Sequence, residues 1–354
     1  MSEYINGLTR PLLRAQLDLT YRCNLKCLHC ICYRMADERS ELSYVEVKNI
    51  LSQLSKLGAT QITLSGGEIF LRKDILRILE FISKLGMQIK IYSNLNLCSA
   101  DIIKKLKFFS IQKVETSVYS ADAAIHDKIT QVAGSFKKTL RNIQIVKDAG
   151  ISILFKSAFM KENIYNYEKL INMAERMGVE FSFGDFFVSQ KKIDKKSKNQ
   201  CFKLRRIEEK ELKRLYSNPY IMKKLNLEYL VKRDFILSDE NLDKPLCEAG
   251  HCKCHIQPNG DVLPCGLWLV KLGNTRRSTI RDILNNSIYS KKIRELTLRS
   301  FTTCIACDLI KYCDLCPAIL YNIYHKKHER NLHVCKKAKL LYELSIELEE
   351  RIKK

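Results

Sequence analysis

Fifteen cysteines in 354 residues constrain this chain most, because they fall in spaced groups rather than evenly. Cys23-x3-Cys27-x2-Cys30 comes first. Much later come Cys247, Cys252-Lys-Cys254 and Cys265, then Cys304-x2-Cys307-x5-Cys313-x2-Cys316, and finally Cys335. In a secreted chain such a count would mean disulfides. Here the opening MSEYINGLTR has no apolar signal stretch, and no apolar run reaches the roughly 18 residues of a membrane span. The expected compartment is the cytoplasm, where grouped cysteines serve metal or redox chemistry. Glycine (13) and proline (6) are scarce, which excludes a loop-dominated disulfide scaffold. The apolar share of 46 % is enough for a packed core, and the length calls for two domains or a barrel with an appendage.

From about residue 13 to 190, short β-branched runs alternate with longer amphipathic ones. The expected strands are 15–20, 61–64, 88–93, 113–117, 151–155 and 180–183. The expected helices are 44–57, 75–85, 100–108, 135–149 and 164–177. Within 45–57 the apolar residues fall at 45, 47, 50, 51, 54 and 57, which is one face of a helix. Gly58, Gly86, Gly150 and Gly178 each follow a helix, where a left-handed cap favours glycine. Six β/α units with short connections imply an α/β fold with a parallel sheet, open or closed into a barrel. Its chemistry belongs at the C-terminal ends of the strands. Four segments are expected: the β/α part over 1–190, a basic mixed-helical link over 191–246, a cysteine-rich domain over 247–335 and a charged amphipathic helix over 336–354. Nine cysteines fall within 247–335, a segment with too few apolar residues for its own core, so it is expected to fold around metal.

Cys23, Cys27 and Cys30 place three thiols on one short loop directly after the first strand. Three thiolates on a four-iron cubane leave one iron without a protein ligand, open to a cofactor or substrate. A zinc loop completed by His29 or Cys32 is the alternative. The loop resembles the signature of the radical S-adenosylmethionine (SAM) superfamily. That resemblance implies a partial (β/α)6 TIM-like barrel whose unique iron binds the amino and carboxylate groups of SAM. An electron from such a cluster cleaves the sulfonium and yields a 5′-deoxyadenosyl radical. His29 occupies the family's aromatic-type position before the third cysteine, and Cys32 lies outside the motif.

The second strand ends in Ser65-Gly66-Gly67-Glu68. Glycine at a strand end lets backbone approach a ligand closely, and a carboxylate can hold an ammonium, although a plain turn explains these residues equally well. Behind the cysteine loop, Gly66, Gly67 and Glu68 resemble the family's contact to the methionine amino group, with Ile69 where proline is common. By the same resemblance, Ser93, Asn94 and Ser117 at later strand ends contact the SAM ribose and carboxylate, with Thr130 a further candidate.

The later cysteines, with Gly260 between Cys247 and Cys265, resemble the SPASM domain. That domain is the C-terminal extension of peptide-modifying radical SAM enzymes and holds up to two auxiliary four-iron clusters. The resemblance implies a first cluster on Cys247, Cys252, Cys265 and Cys316, and a second on Cys304, Cys307, Cys313 and Cys335. The last close spacing is x2 where the family usually has x3. Cys254 competes with Cys252, and with neither bound that cluster would offer an open iron. A zinc ribbon is the alternative for the C-x2-C pairs. Cys98 and Cys201 fit no group, Trp268 and Met160 read as packing, and His251, His255, His325, His328 and His333 read as surface or supporting residues. The resemblance covers about 13–340, except the link at 191–240.

The whole pattern implies a radical SAM oxidoreductase using SAM and three four-iron clusters. Its expected action is to abstract hydrogen from a ribosomally made peptide or protein and leave a thioether or C–C crosslink. The expected partners are that substrate, a flavodoxin- or ferredoxin-type electron donor and a separate leader-binding protein, with no membrane. Formylglycine-forming sulfatase maturases carry aspartate where Gly266 stands, which ranks that reading lower, and haem- or quinone-cofactor maturation is a further one. The net charge of +22, from 61 Lys and Arg against 39 Asp and Glu, suits an acidic leader. Residues 191–214 carry eleven basic and four acidic side chains. They read as a solvated helix or linker. Read as tracking phosphates, they would give a zinc-containing nucleic-acid-binding protein, the alternative from another class.

Overall fold

Alternation along the first strand sets the architecture. In β1 (Arg14–Thr20), Ala15, Leu17 and Leu19 enter the main core, so Gln16, Asp18 and Thr20 face the other side of the sheet. A computed structural model describes residues 12–30, 32, 40–184, 207–224, 242–313, 315–319 and 332–352. Five further strands follow in parallel: β2 (Gln61–Gly66), β3 (Gln88–Tyr92), β4 (Ile111–Ser117), β5 (Ile153–Ala158) and β6 (Glu180–Gly184). Each repeats the alternation, with Ile62 and Leu64, Ile89 and Ile91, and Ile153 and Phe155 packed into the helical layer.

That layer is built from α1 (Tyr44–Lys56), α2 (Ile75–Lys84), α3 (Ala100–Leu106), α4 (Ala123–Thr130), α5 (Ser135–Asp148) and α6 (Tyr167–Arg176). Local chemistry fixes their ends. Ser43 and Glu46 form a reciprocal capping box at the start of α1, and the four glycines expected to close helices all adopt positive φ. The barrel is open, as a partial (β/α)6 TIM-like fold requires.

Three features depart from expectation. α4 falls in a segment not among the expected helices. The helix expected at 164–177 opens with a 3-10 turn, Ile164–Asn166, before α6. The cysteine-rich part contributes β7 (Lys253–Ile256), β8 (Asp261–Leu263) and β9 (Gly273–Asn274), which join the barrel sheet. The order is β6-β5-β4-β3-β2-β1-β7-β8-β9, with β7 parallel to β1. These three strands are too short to show a periodic signal, and pairing with β1 stabilises them.

The two halves are also linked by Leu42 N donating to Pro258 O at 2.7 Å and by Arg276 pairing with Glu46 at 2.6 Å. The cysteine-rich part has a small core after all, made of Ala249, Trp268, Ile293 and Ala318. The C-terminal helix spans Leu332–Ile352, so Cys335 lies in its first turn. Of the basic stretch, residues 191–206 lie outside the described residues, as do Cys201, His325 and His328, while Glu209–Tyr216 is helical. Among the described residues no helix is long and apolar enough to cross a membrane.

Candidate cofactor and cluster sites

The loop after β1 is held from two sides. Lys26 N donates to Thr130 O at 3.1 Å and Leu28 N to Ile129 O at 2.9 Å, which fastens it to the end of α4. From the other side, Asn94 donates its side-chain amide to Asn24 Oδ1 at 2.9 Å and to Cys23 Sγ at 3.6 Å. Cys23, Cys27 and Cys30 pack in one small cluster with Leu25, Tyr119, Ile129 and Met160. The His29 ring meets Tyr119 edge-on at 5.0 Å, and the Tyr119 hydroxyl hydrogen-bonds to Cys27 and Ser117.

Burial, reinforced by the neighbouring thiols, pushes Cys23 up to about 11 and Cys27 up to about 12. Two thiols desolvated beside Cys30 are poor thiolates alone, and a bound cationic iron centre is the partner that would ionise them. The donor set therefore fits a cluster.

The Gly-Gly-Glu turn is packed tightly against the cysteine loop. A Cβ on Gly66 would lie 2.1 Å from Thr20 O, and one on Gly67 would lie 2.1 Å from Arg22 O. Gly67 N and Glu68 N donate to those same carbonyls at 2.7 and 2.8 Å. The glycines are needed because the turn packs against the root of the cysteine loop, not only for approach to a ligand.

The Glu68 carboxylate is fully buried. It accepts from Phe70 N at 3.1 Å, from Ser93 Oγ at 2.8 and 2.9 Å, and from Asn94 N at 2.8 Å. Burial holds it up at about 7. It thus forms a bracket between the ends of β2 and β3. The Ser93 hydroxyl is committed to this bracket. Thr130 Oγ1 is likewise buried, donating to Asp127 O at 3.1 Å and sharing a 2.6 Å hydrogen bond with Ser135.

Cys247, Cys265 and Cys316 pack together around the Ala249–Trp268 core. Gly260, at φ +84°, makes the turn that returns the chain from β7 to β8 and so towards Cys265. Cys252 lies in the turn before β7 without joining that packed group. Cys254 is fully buried among aliphatic side chains of the main core, on the opposite face of β7 from His255, and burial pushes it up to about 12. It is therefore a core residue, leaving Cys252 as the nearer candidate.

Cys304, Cys307, Cys313 and Cys335 line a single apolar cavity. A structural zinc site gathers its donors about 2.0–2.3 Å from one ion. Among the described residues no three His, Cys, Asp or Glu side chains are grouped tightly enough to hold a single metal ion.

Sequence reasoning missed the side chains that brace these sites. Tyr119 and Asn163 lie in loops, and nothing in their spacing marks them. Asn163 donates to Tyr119 O at 2.8 Å, and His126 Nδ1 accepts from Tyr119 N at 3.2 Å, so the residue covering Cys27 is fixed by two distant side chains.

Comparison with known proteins gives consistent matches. Residues 17–176 match the radical SAM superfamily, and residues 247–317 match the SPASM iron–sulfur cluster-binding domain. The AdoMet-dependent heme synthase of Methanosarcina barkeri is 26 % identical over 325 residues, covering 86 % of this chain and 90 % of that protein. The antilisterial bacteriocin subtilosin biosynthesis protein AlbA of Bacillus subtilis is 25 % identical over 329 residues, covering 89 % of this chain and 70 % of that protein. Streptococcus suis SuiB, solved bound to precursor peptide SuiA, superposes with a TM-score of 0.70 at 20 % identity, covering 92 % of this chain and 76 % of that one.

Proposed function

The chain is a radical SAM enzyme with an SPASM domain, and on that premise we propose that it oxidatively modifies a ribosomally made peptide or protein, forming a thioether or C–C crosslink. The observation that carries this reading is the polar inner face of the sheet. Gln16, Asp18, Thr63, Ser65, Lys90, Glu115, Lys156 and His255 occupy the positions that alternate with core residues. Such a face can hold the amides and polar side chains of a peptide, whereas a broad apolar macrocycle calls for aliphatic and aromatic lining. The biosynthetic relative AlbA and the peptide-bound SuiB structure support the same direction.

In this reading Cys23, Cys27 and Cys30 hold one four-iron cluster. Cys247, Cys252, Cys265 and Cys316 hold a second, and Cys304, Cys307, Cys313 and Cys335 a third. Cys23, Cys27 and Cys30 would hold the cluster that, together with SAM, would supply the chemistry for hydrogen abstraction from the substrate. The chain's own residues orient and shield. The Glu68–Ser93–Asn94 bracket fixes the ends of β2 and β3, and Gly66 and Gly67 hold that turn against the cysteine loop that would carry the cluster. His29 and Tyr119 keep water from the Cys27 side. An external one-electron donor of the flavodoxin or ferredoxin type is needed, and a separate leader-binding protein fits the same scheme. The +22 balance suits an acidic leader, whose affinity falls with added salt.

A second reading, maturation of an iron tetrapyrrole, is favoured by the heme synthase relative that spans most of this chain. One experiment separates the two. The anaerobically reconstituted enzyme is reduced with SAM present and given, in parallel, peptides encoded beside its gene and an iron tetrapyrrole carboxylate. Peptide modification predicts the loss of two hydrogens from one peptide with matching 5′-deoxyadenosine. Turnover of the tetrapyrrole with every peptide unchanged overturns it.

A further inference from the structure

One polar pair on the inner face belongs neither to the cysteine groups nor to the Glu68 bracket. His255 on β7 is 5 % exposed, and its Nε2 stands 2.9 Å from Asp18 Oδ2 on the adjoining β1, an electrostatic contact whose angle falls outside hydrogen-bond geometry. Asp18 is 6 % exposed and accepts from Gln16 Nε2 at 3.0 Å on its other oxygen. The Tyr21 hydroxyl hydrogen-bonds to Asp18 and to Gln257, tightening the set further. The other imidazole nitrogen, His255 Nδ1, is buried and has no hydrogen-bond partner among the described residues. A polar atom buried in this way carries its full desolvation cost until something pairs with it.

Nδ1 faces Gly266. A Cβ on that residue would lie 3.5 Å from His255 Nδ1 and 3.7 Å from Gln16 Oε1. Because glycine places nothing there, two polar atoms converge on one point. The Asp18 carboxylate draws the imidazole proton to Nε2, which leaves Nδ1 as a lone-pair acceptor. An amide oxygen is also an acceptor. The point therefore receives a hydrogen-bond donor and repels a carboxylate. Gly266 adjoins Cys265, while Asp18 acts electrostatically on Cys32, whose thiol hydrogen-bonds to Cys30. The pair thus lies between the first cysteine loop and the Cys247–Cys265–Cys316 group.

We propose that His255, its tautomer set by Asp18 as a positioning residue, binds an N–H or O–H donor of the peptide substrate at the point left open by Gly266. This rests on the peptide reading above, so the test has an arm that does not need a peptide.

In that arm, the oxidised holoenzyme labelled with 15N-histidine is studied by NMR, with His255→Gln identifying the resonance. The expected tautomer carries its proton on Nε2, with Nδ1 shifting when N-methylacetamide is added as a small donor. An Nδ1–H tautomer, or an Nδ1 indifferent to the donor, overturns the proposal.

In the second arm, fluorescein-labelled peptides encoded beside the gene are bound anaerobically. His255→Phe should raise Kd about 10- to 100-fold. His255→Gln, which retains an acceptor oxygen, should recover most of that. Gly266→Ala, whose methyl would fit at ordinary contact distance, should weaken binding by a similar factor. Wild-type affinity in His255→Phe, or loss of iron from it, overturns the proposal. If no peptide binds the wild-type enzyme, the peptide reading fails and the NMR arm alone decides.

Discussion

Asn94 at the end of β3 donates to the sulfur of Cys23 at 3.6 Å, while its backbone N–H donates to Glu68 at 2.8 Å. One residue thus couples the buried carboxylate bracket to the first cysteine of the loop. A hydrogen bond to a charged acceptor is worth about 1.5–3 kcal/mol. Asn94→Ala should therefore release iron from the first site about tenfold faster under chelator, while the Cys304–Cys335 site is unaffected. Unchanged release, followed by optical absorbance, would show that the loop does not depend on this contact.

Gly67→Ala tests the close approach of the turn to the loop. Its methyl would stand 2.1 Å from Arg22 O, which is backbone and cannot move aside alone. The expected result is a folded protein with about four fewer irons per chain than wild type and no SAM cleavage. Full iron in this variant would mean that the turn and the loop shift freely.

Cys254→Ala should keep all of its iron. Its thiol is buried among aliphatic side chains of the main core, so the cost is a small cavity of about 1–2 kcal/mol. Cys265→Ala should instead lose the iron of its own site, because Cys265 packs with Cys247 and Cys316. Equal iron loss in both variants would return Cys254 to the ligand set.

His126 provides a pH test. Burial pulls it down to about 4, against 6.5 when exposed, and its unprotonated Nδ1 accepts from Tyr119 N. The folded state binds fewer protons here, so the stability contribution is complete above pH 6.5. It is lost as pH falls from 6.5 to about 4. The span corresponds to roughly 2–4 kcal/mol. In the apoprotein, His126→Gln should flatten the loss of stability between pH 7 and 5, measured by urea unfolding. An unchanged slope would contradict the assignment.

The β/α half was largely legible because its signals are local. Helix ends at Ser43 and Gly58 are written in capping chemistry, and apolar spacing separates strand from helix. α4 was missed because its Ala- and Ile-containing segment is short and polar, and it gains its stability from packing against α5 and the cysteine loop. β7 was missed because four residues carry no period and its partner is β1, distant in sequence. The cysteine groups were legible as spacing. The hydrogen-bond partners of Glu68, Ser93 and Thr130 were not, because they come together only when strands and helices meet. For the same reason His255 read as an ordinary supporting residue, since its pairing with Asp18 exists only across the β1–β7 junction.

The central claim is that three separate thiol groups each hold a four-iron cluster. It is tested most directly by iron and sulfide per chain after strictly anaerobic purification and reconstitution. The account predicts about twelve of each, with about eight remaining when Cys23, Cys27 and Cys30 are all replaced by serine. Zinc in place of iron, or no more than about four irons, would contradict it.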